Sequence, residues 1–220
     1  MRTGAILGDR SRAERAMIAA VDVDYREAGA VAACVCFRDR ADERAAEEVV
    51  LPIARVEPYE PGRFFRRELP CLLAVLGDLD VGPEVVIVDG YAWLGDGGVP
   101  GLGAHLFEAL GRRVAVVGVA KTRFRGALAA EEVHRGAGHS PLYVTAAGMD
   151  LQEAARFVRE MHGPYRIPTL LKRVDQLCRG LAGPIPCPDV PPRMRPRSSP
   201  GEVEFDPRGA KIAEHGASKE

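Results

Sequence analysis

MIAAVDVDY, residues 17–25, is the stretch that decides the fold. Apolar residues alternate with two acids, which predicts a β-strand with Asp22 and Asp24 on one face. Further strands are predicted over residues 30–37 and 49–56, with short connections between the three. Short connections favour antiparallel pairing, so this part of the chain is predicted to be a three-strand meander.

Beyond the meander, helical and strand patterns alternate. Residues 85–88 are wholly apolar, which indicates a strand buried on both faces. A helix is predicted over residues 64–79, with Pro70 causing a kink or a late start. The remaining patterns predict strands at 114–120 and 142–147 and helices at 102–110, 151–161 and 169–179. The order β-β-β-α-β-α-β predicts an α/β, ribonuclease-H-like mixed sheet, in which parallel strands continue the meander and helices flank the sheet.

The bulk composition predicts one folded domain and a tail. Of 220 residues, 46% are hydrophobic and the formal net charge is −1, so any surface for an acidic partner must be a local basic patch. We predict a folded domain over 1–183 and a disordered tail over 184–220, which is rich in Pro, Arg, Ser and Gly. The chain shows neither a signal core nor a run of about 18 apolar residues. A cytoplasmic protein without membrane contact is expected.

The five cysteines carry no metal or disulfide signature. No C-x-x-C pair occurs, and Cys34 and Cys36 face the same side of a predicted strand. We interpret the cysteines as buried, reduced thiols.

Two aspartates lie in otherwise apolar strands, Asp22 in AAVDVDY and Asp89 in VIVDG. Side by side in one sheet they would repel each other unless a cation lay between them, and hard oxygen ligands suit Mg²⁺ or Mn²⁺. Such an ion can activate water in phosphodiester hydrolysis. Glu68 is a third candidate ligand, and Lys121, at a strand end, is a candidate cation for a phosphate.

Each of these residues also has a purely structural interpretation. Asp22 could be a satisfied polar group in the core, and Asp89 could begin a turn at Asp-Gly. Glu68 could complement a helix dipole. Lys121 could be a solvated lysine at a strand end.

Six segments resemble the endonuclease V family in both order and spacing. They are IAAVDVDY, PYEPGRFFRRELP, VVIVDG, GVAKTRFRG, PLYVTAAG and YRIPTLLKRVD, spread over residues 17–176. The most specific part is P-Y-x-P-G followed by F-x-R-E-x-P.

The resemblance implies a metal-dependent nuclease that cleaves 3′ to deoxyinosine in DNA, or to inosine in RNA, during DNA repair. It implies that Asp22, Glu68 and Asp89 bind Mg²⁺ (or Mn²⁺) and that Lys121 is catalytic. It further implies a strand-separating wedge in which an aromatic ring replaces a flipped base by stacking. The wedge residues are Pro58, Tyr59, Glu60 and Pro61. A monomer is expected.

The chain departs from the family pattern at several positions. Glu60 stands where the wedge usually has an apolar residue. Tyr91 replaces the first histidine of a G-H-G-x-x-H-P-R stretch, and Met149 replaces a later histidine. His134 and His139 are interpreted as surface residues of a shortened loop.

Two other functions fit parts of the sequence. The lost histidines and Glu60 favour a nucleic-acid-binding homologue with weak or lost catalysis. A Gly-rich loop containing Gly98, Gly101 and Gly103 before a helix suggests a nucleotide-cofactor enzyme. Its spacing does not match G-x-G-x-x-G.

Overall fold

The structure is a computed structural model that describes residues 17–95, 98–125 and 130–181. The predicted tail, residues 184–220, and the first 16 residues lie outside the described residues. The boundary between the predicted domain and tail therefore stays a prediction. Among the described helices, none is both long and apolar enough to cross a membrane.

The described residues form a seven-stranded sheet. Its strand order is β3-β2-β1-β4-β5-β7-β6. The strands are β1 (Ile18–Arg26), β2 (Gly29–Phe37), β3 (Glu47–Ile53), β4 (Val85–Asp89), β5 (Ala115–Ala120), β6 (Glu131–Val133) and β7 (Leu142–Ala147). The meander β1-β2-β3 is antiparallel, whereas β4 and β5 extend the sheet parallel to β1. The predicted mixed sheet is confirmed.

Helices cover both faces of the sheet. They are α1 (Phe64–Gly77), α2 (Leu102–Ala109), α3 (Leu151–Glu160) and α4 (Thr169–Cys178). Along β1, Ala19 and Val21 pack in the apolar cluster beneath α1 and α2, whereas Ile18 and Ala20 pack in the cluster beneath α3 and α4. This alternation is the two-residue period of a strand buried on both faces.

Some predicted elements differ from the structure. The third strand ends at Ile53 rather than at residue 56, and the three-residue strand β6 was not predicted. The last long strand, β7, runs antiparallel to β5. Pro70 lies inside α1 and does not delay its start at Phe64. The helix tolerates this proline at the loss of one backbone hydrogen bond.

The cysteine interpretation is confirmed for the residues that the structure describes. Cys34 and Cys36 are buried free thiols, and their Sγ atoms lie 3.7 Å apart. Cys71 and Cys178 are likewise free and buried. Cys187 lies outside the described residues.

Two charged interactions fix the helices on one face of the sheet. Arg173 of α4 binds Glu48 of β3 through two hydrogen bonds of 2.8 Å each, and the Glu48 side chain is only 2% exposed. Arg135, which is 7% exposed, donates to the carbonyls of Val158 and Arg159 near the end of α3 and to those of His162 and Gly163 beyond it. These contacts hold the chain between α3 and α4 against the sheet.

Candidate functional site

Asp22 and Asp89 lie side by side on adjacent parallel strands. The register pairs Val21 of β1 with Val88 of β4, so the next residues along each strand are the two aspartates. Oδ1 of Asp22 accepts a hydrogen bond of 2.8 Å from the backbone N–H of Val23. The sheet itself therefore creates the pair of acids that the sequence pattern indicated.

Glu68 approaches the same edge of the sheet from α1. Its side chain is buried at 6% exposure, and among the described residues Oε2 has no hydrogen-bond partner. Asp22, Glu68 and Asp89 line one cavity of about 290 Å³. Three carboxylates that are distant in sequence thus converge at one place.

The acids of this cavity disfavour one another's charge. Burial first, and then the charge of Asp89, raises the pKa of Asp22 to about 6. Burial, followed by the charges of Asp22 and Asp89, raises the pKa of Glu68 to about 8. A buried carboxyl group next to other carboxylates resists ionisation unless a cation compensates.

Lys121 follows β5 directly and contacts the acidic edge. Its Nζ donates to Oδ2 of Asp89 at 2.6 Å. Burial alone would lower the pKa of Lys121, but the hydrogen bond and charge of Asp89 outweigh it and raise that pKa. Lys121 is therefore a cation at neutral pH, and its side chain is 45% exposed.

Asp175 is a cavity residue that the sequence reasoning missed. It lies on α4 and lines the same cavity as the three predicted acids. Its charge contributes to the raised pKa of Asp22. Its Oδ1 accepts a 2.9 Å hydrogen bond from Arg179 four residues later. In sequence this spacing is that of an ordinary surface ion pair, and only its place in the YRIPTLLKRVD motif could have drawn attention to it.

The predicted wedge is an exposed loop that leads into α1. Tyr59 is 62% exposed. Glu60 forms ion pairs with Arg63 at 2.9 Å and with Arg66 at 3.5 Å, so its negative charge is compensated locally. Pro58 borders a separate cavity of about 240 Å³ that Arg55 and Arg67 also line. The role of Pro58, Tyr59, Glu60 and Pro61 as a wedge stays a prediction.

The cavity has the donor chemistry for a hard divalent ion, but not a finished coordination shell. Its acids supply oxygen ligands, and Oε2 of Glu68 is buried without a hydrogen-bond partner in the part of the chain that the structure describes. Within the described ranges, no group of three or more His, Cys, Asp or Glu side chains is arranged to hold a metal ion. Binding an ion would therefore require the carboxylates to reorient.

Two glycines at the start of α2, Gly101 and Gly103, serve packing. A Cβ on Gly101 would lie 2.4 Å from the carbonyl oxygen of Tyr91, and one on Gly103 would lie 3.0 Å from the Cα of Ala92. Close backbone approach explains both glycines without a phosphate, which removes the main support for a nucleotide-cofactor enzyme. His134 and His139 are exposed, as the sequence interpretation held.

Known proteins of one family are similar to this chain. The family model described as Endonuclease V matches residues 2–146. An endonuclease V from Streptomyces avermitilis is 31% identical over 183 residues, covering 66% of this chain and 76% of that relative. One from Streptomyces coelicolor is also 31% identical, covering 74% of this chain and 77% of that relative.

Solved structures show the same fold. The crystal structure of the Streptomyces avermitilis enzyme superimposes with a TM-score of 0.61 at 26% identity, over 75% of this chain and 80% of that chain. Endonuclease V from Ciona intestinalis, in complex with a 24mer DNA containing an inosine, gives a TM-score of 0.64 at 19% identity, over 79% of this chain and 89% of that chain. These likenesses confirm the ribonuclease-H-like fold. The chain belongs to the endonuclease V family.

Proposed function

We propose that this protein is a metal-dependent endonuclease that hydrolyses a phosphodiester 3′ to deoxyinosine in DNA, or to inosine in RNA, and acts in DNA repair in the cytoplasm. The observation that carries the proposal is the convergence of Asp22, Glu68 and Asp89 on one cavity beside Lys121. These are the residues that the family resemblance designates as ligands and catalytic lysine. In this proposal the protein works as a monomer.

Asp22, Glu68 and Asp89 would hold Mg²⁺, with Mn²⁺ as an alternative, and Asp175 lines the same cavity. When bound, the ion would activate a water nucleophile and stabilise the leaving oxygen. The raised pKa values of Asp22 and Glu68 support this assignment, because such carboxyl groups gain most from a cation.

Lys121 would act on the phosphate rather than as a base. Its ammonium is held at the acidic edge by Asp89 and remains partly exposed to an incoming strand. A fixed cation near the scissile phosphate stabilises charge that develops in the transition state. The ammonium of Lys121 would be available to a phosphate oxygen of the bound strand.

Substrate choice rests on the relatives and on the wedge loop. The Ciona intestinalis protein binds inosine-containing DNA, and this chain shares its fold. Tyr59 exposes a ring that could stack in the gap left by an extruded base. The pairing of Glu60 with Arg63 and Arg66 reduces the repulsion that a lone carboxylate would exert on phosphate.

A second candidate is a nucleic-acid-binding homologue with weak or lost catalysis. Two structural observations favour it. Nζ of Lys121 is hydrogen-bonded to a carboxylate oxygen of Asp89, and no group of three or more His, Cys, Asp or Glu side chains among the described residues is arranged to hold a metal ion. Tyr91 and Met149 also replace the family histidines.

A nicking assay separates the two candidates. Strands containing deoxyinosine, inosine RNA, an abasic site or a mismatch are incubated with Mg²⁺, Mn²⁺ or a chelator. We expect cleavage 3′ to inosine that requires the ion, is lost in Asp89→Ala and persists in the surface control Glu108→Gln. Binding without cleavage by the unaltered protein would establish the second candidate instead.

A further inference from the structure

The hydroxyl of Tyr91 links the two strand ends that carry Asp89 and Lys121. Tyr91 follows β4 two residues after Asp89, and it is 8% exposed. Its hydroxyl donates to the carbonyl oxygen of Thr122 at 2.9 Å and accepts from the backbone N–H of Phe124 at 2.9 Å. Both partners belong to the segment that begins with Lys121.

Contacts of the ring reinforce this link. The rings of Tyr91 and Phe124 lie 6.1 Å apart in a tilted arrangement. Tyr91 also packs in a small apolar cluster with Ala120, the residue immediately before Lys121, and with Tyr143. The segment is therefore fixed to the end of β4 through both a hydroxyl and an aromatic contact.

Arg166 makes a second contact with the backbone of Lys121. The guanidinium of Arg166, just before α4, donates to the carbonyl oxygen of Lys121 and, at 2.7 Å, to that of Pro141. The backbone around Lys121 is thus held by Arg166 at one point and by Tyr91 at two points after it. Loss of the hydroxyl of Tyr91 would leave residues 122–124 without two hydrogen bonds.

We propose that Tyr91 is a positioning residue that holds the backbone after Lys121, so that the Lys121 ammonium stays opposite Asp89 and the scissile phosphate. The inference rests on the proposed nuclease function. Tyr91 acts through Lys121 and need not touch the substrate. A small displacement of a catalytic cation reduces the rate much more than it reduces substrate binding.

Tyr91→Phe keeps the ring and removes only the hydroxyl. In the nicking assay we expect kcat to fall roughly 10-fold to 100-fold with KM nearly unchanged. Tyr143→Phe, which removes a hydroxyl from another tyrosine of the same cluster, serves as the matched control and should leave both constants unchanged. Weaker substrate binding, seen as a higher KM with an unchanged kcat, would contradict a positioning role.

A double-mutant cycle distinguishes positioning of Lys121 from general support of the fold. In a Lys121→Ala background, the Tyr91→Phe change should alter kcat by less than about 2-fold, because the side chain that it positions is already gone. Additive losses would overturn the inference while leaving the nuclease function intact. Absence of nicking by the unaltered protein would reject both.

Amide hydrogen exchange provides a readout that does not depend on activity. The Phe124 amide should be protected in the unaltered protein and should exchange faster in Tyr91→Phe, because its acceptor is lost. An unprotected Phe124 amide in the unaltered protein would show that the link is not formed, which overturns the inference even if the variant folds poorly.

Discussion

At the scale of single residues, the site depends on Lys121 and its contact with Asp89. The backbone of Lys121 directly follows β5, and its Nζ donates a 2.6 Å hydrogen bond to Oδ2 of Asp89. The lysine places a positive charge beside Asp89, which lines the cavity of the acids. We therefore expect the rate of the proposed reaction to depend more on Lys121 than on any other basic residue near the site.

Replacing Lys121 by alanine should lower kcat for nicking by roughly 100-fold or more, since the transition state loses a fixed cation. Initial rates on an inosine-containing strand measure the effect. Lys172→Ala is the matched control, because Lys172 is an exposed lysine of α4, and its rate should match that of the unaltered protein. A Lys121→Ala rate within 2-fold of the unaltered protein would exclude the role given to the lysine.

Individual residues of the site could be predicted when they interrupted an apolar pattern. Asp22 and Asp89 stand out because burial in a strand makes an acid unusual, and the structure brings both to one edge. Asp175 did not stand out, because it lies on a helix next to an arginine four residues on, like many exposed acids. The two hydrogen bonds of Tyr91 were equally invisible, since they depend on how two loops meet in space.

At the scale of elements, the buried Arg135 connects the chain after β6 with the end of α3. Its guanidinium donates to four backbone carbonyls around the end of α3, at 2.6 to 3.4 Å. These carbonyls lie at or just beyond the end of a helix, where the helix itself supplies no donor for its last carbonyl groups. Arg135 thereby shapes the chain that leads to α4 and to Asp175.

Arg135→Ala should destabilise the fold by about 2 to 4 kcal/mol, because buried carbonyl groups lose their donors. Urea unfolding followed by circular dichroism gives the free energy of unfolding. Arg156→Ala, an exposed position on α3, should change it by less than about 0.5 kcal/mol. If both substitutions lowered the free energy of unfolding equally, the buried guanidinium of Arg135 would contribute no more to stability than the exposed one of Arg156.

Most long elements could be predicted because their apolar periodicity is strong. The helix at Leu151–Glu160 and the strand at Leu142–Ala147 were found almost to the residue. The short strand β6 could not be found, because EEV has no apolar alternation and becomes a strand only by pairing with β7. The direction of β7 also follows from tertiary pairing rather than from local pattern.

At the scale of the whole molecule, charge is distributed unevenly within a nearly neutral chain. The net charge is −1, yet five acids line one cavity: Asp22, Asp24, Glu68, Asp89 and Asp175. Such a concentration of like charge costs stability in the absence of a cation. The proposed function and the stability of the fold are therefore linked through the same carboxylates.

This link predicts a specific pH dependence of stability. The folded protein raises the pKa of Asp22 to about 6 and that of Glu68 to about 8, both above their ordinary values of 3.8 and 4.5. Their contribution to stability is present at low pH, where both are protonated, and is lost as pH rises towards 8. Without divalent ions, Tm should therefore fall from pH 5 to pH 8.

Mg²⁺ should restore most of that loss at pH 8 and little at pH 5, because protonated carboxyl groups bind the ion poorly. Thermal unfolding with chelator or with Mg²⁺ at the two pH values measures the difference. Glu68→Gln should flatten both the pH dependence and the response to Mg²⁺. A Mg²⁺-induced rise in Tm that is larger at pH 5 than at pH 8 would contradict this prediction.

Titration with Mn²⁺, followed by the paramagnetic resonance signal of the free ion, tests most directly whether the acids of β1, α1 and β4 form a metal site. The unaltered protein should show one saturable site that is lost in Asp22→Asn and in Asp89→Asn and retained in Glu108→Gln. Binding that persists unchanged in both aspartate variants, or an absence of binding by the unaltered protein, would contradict the account.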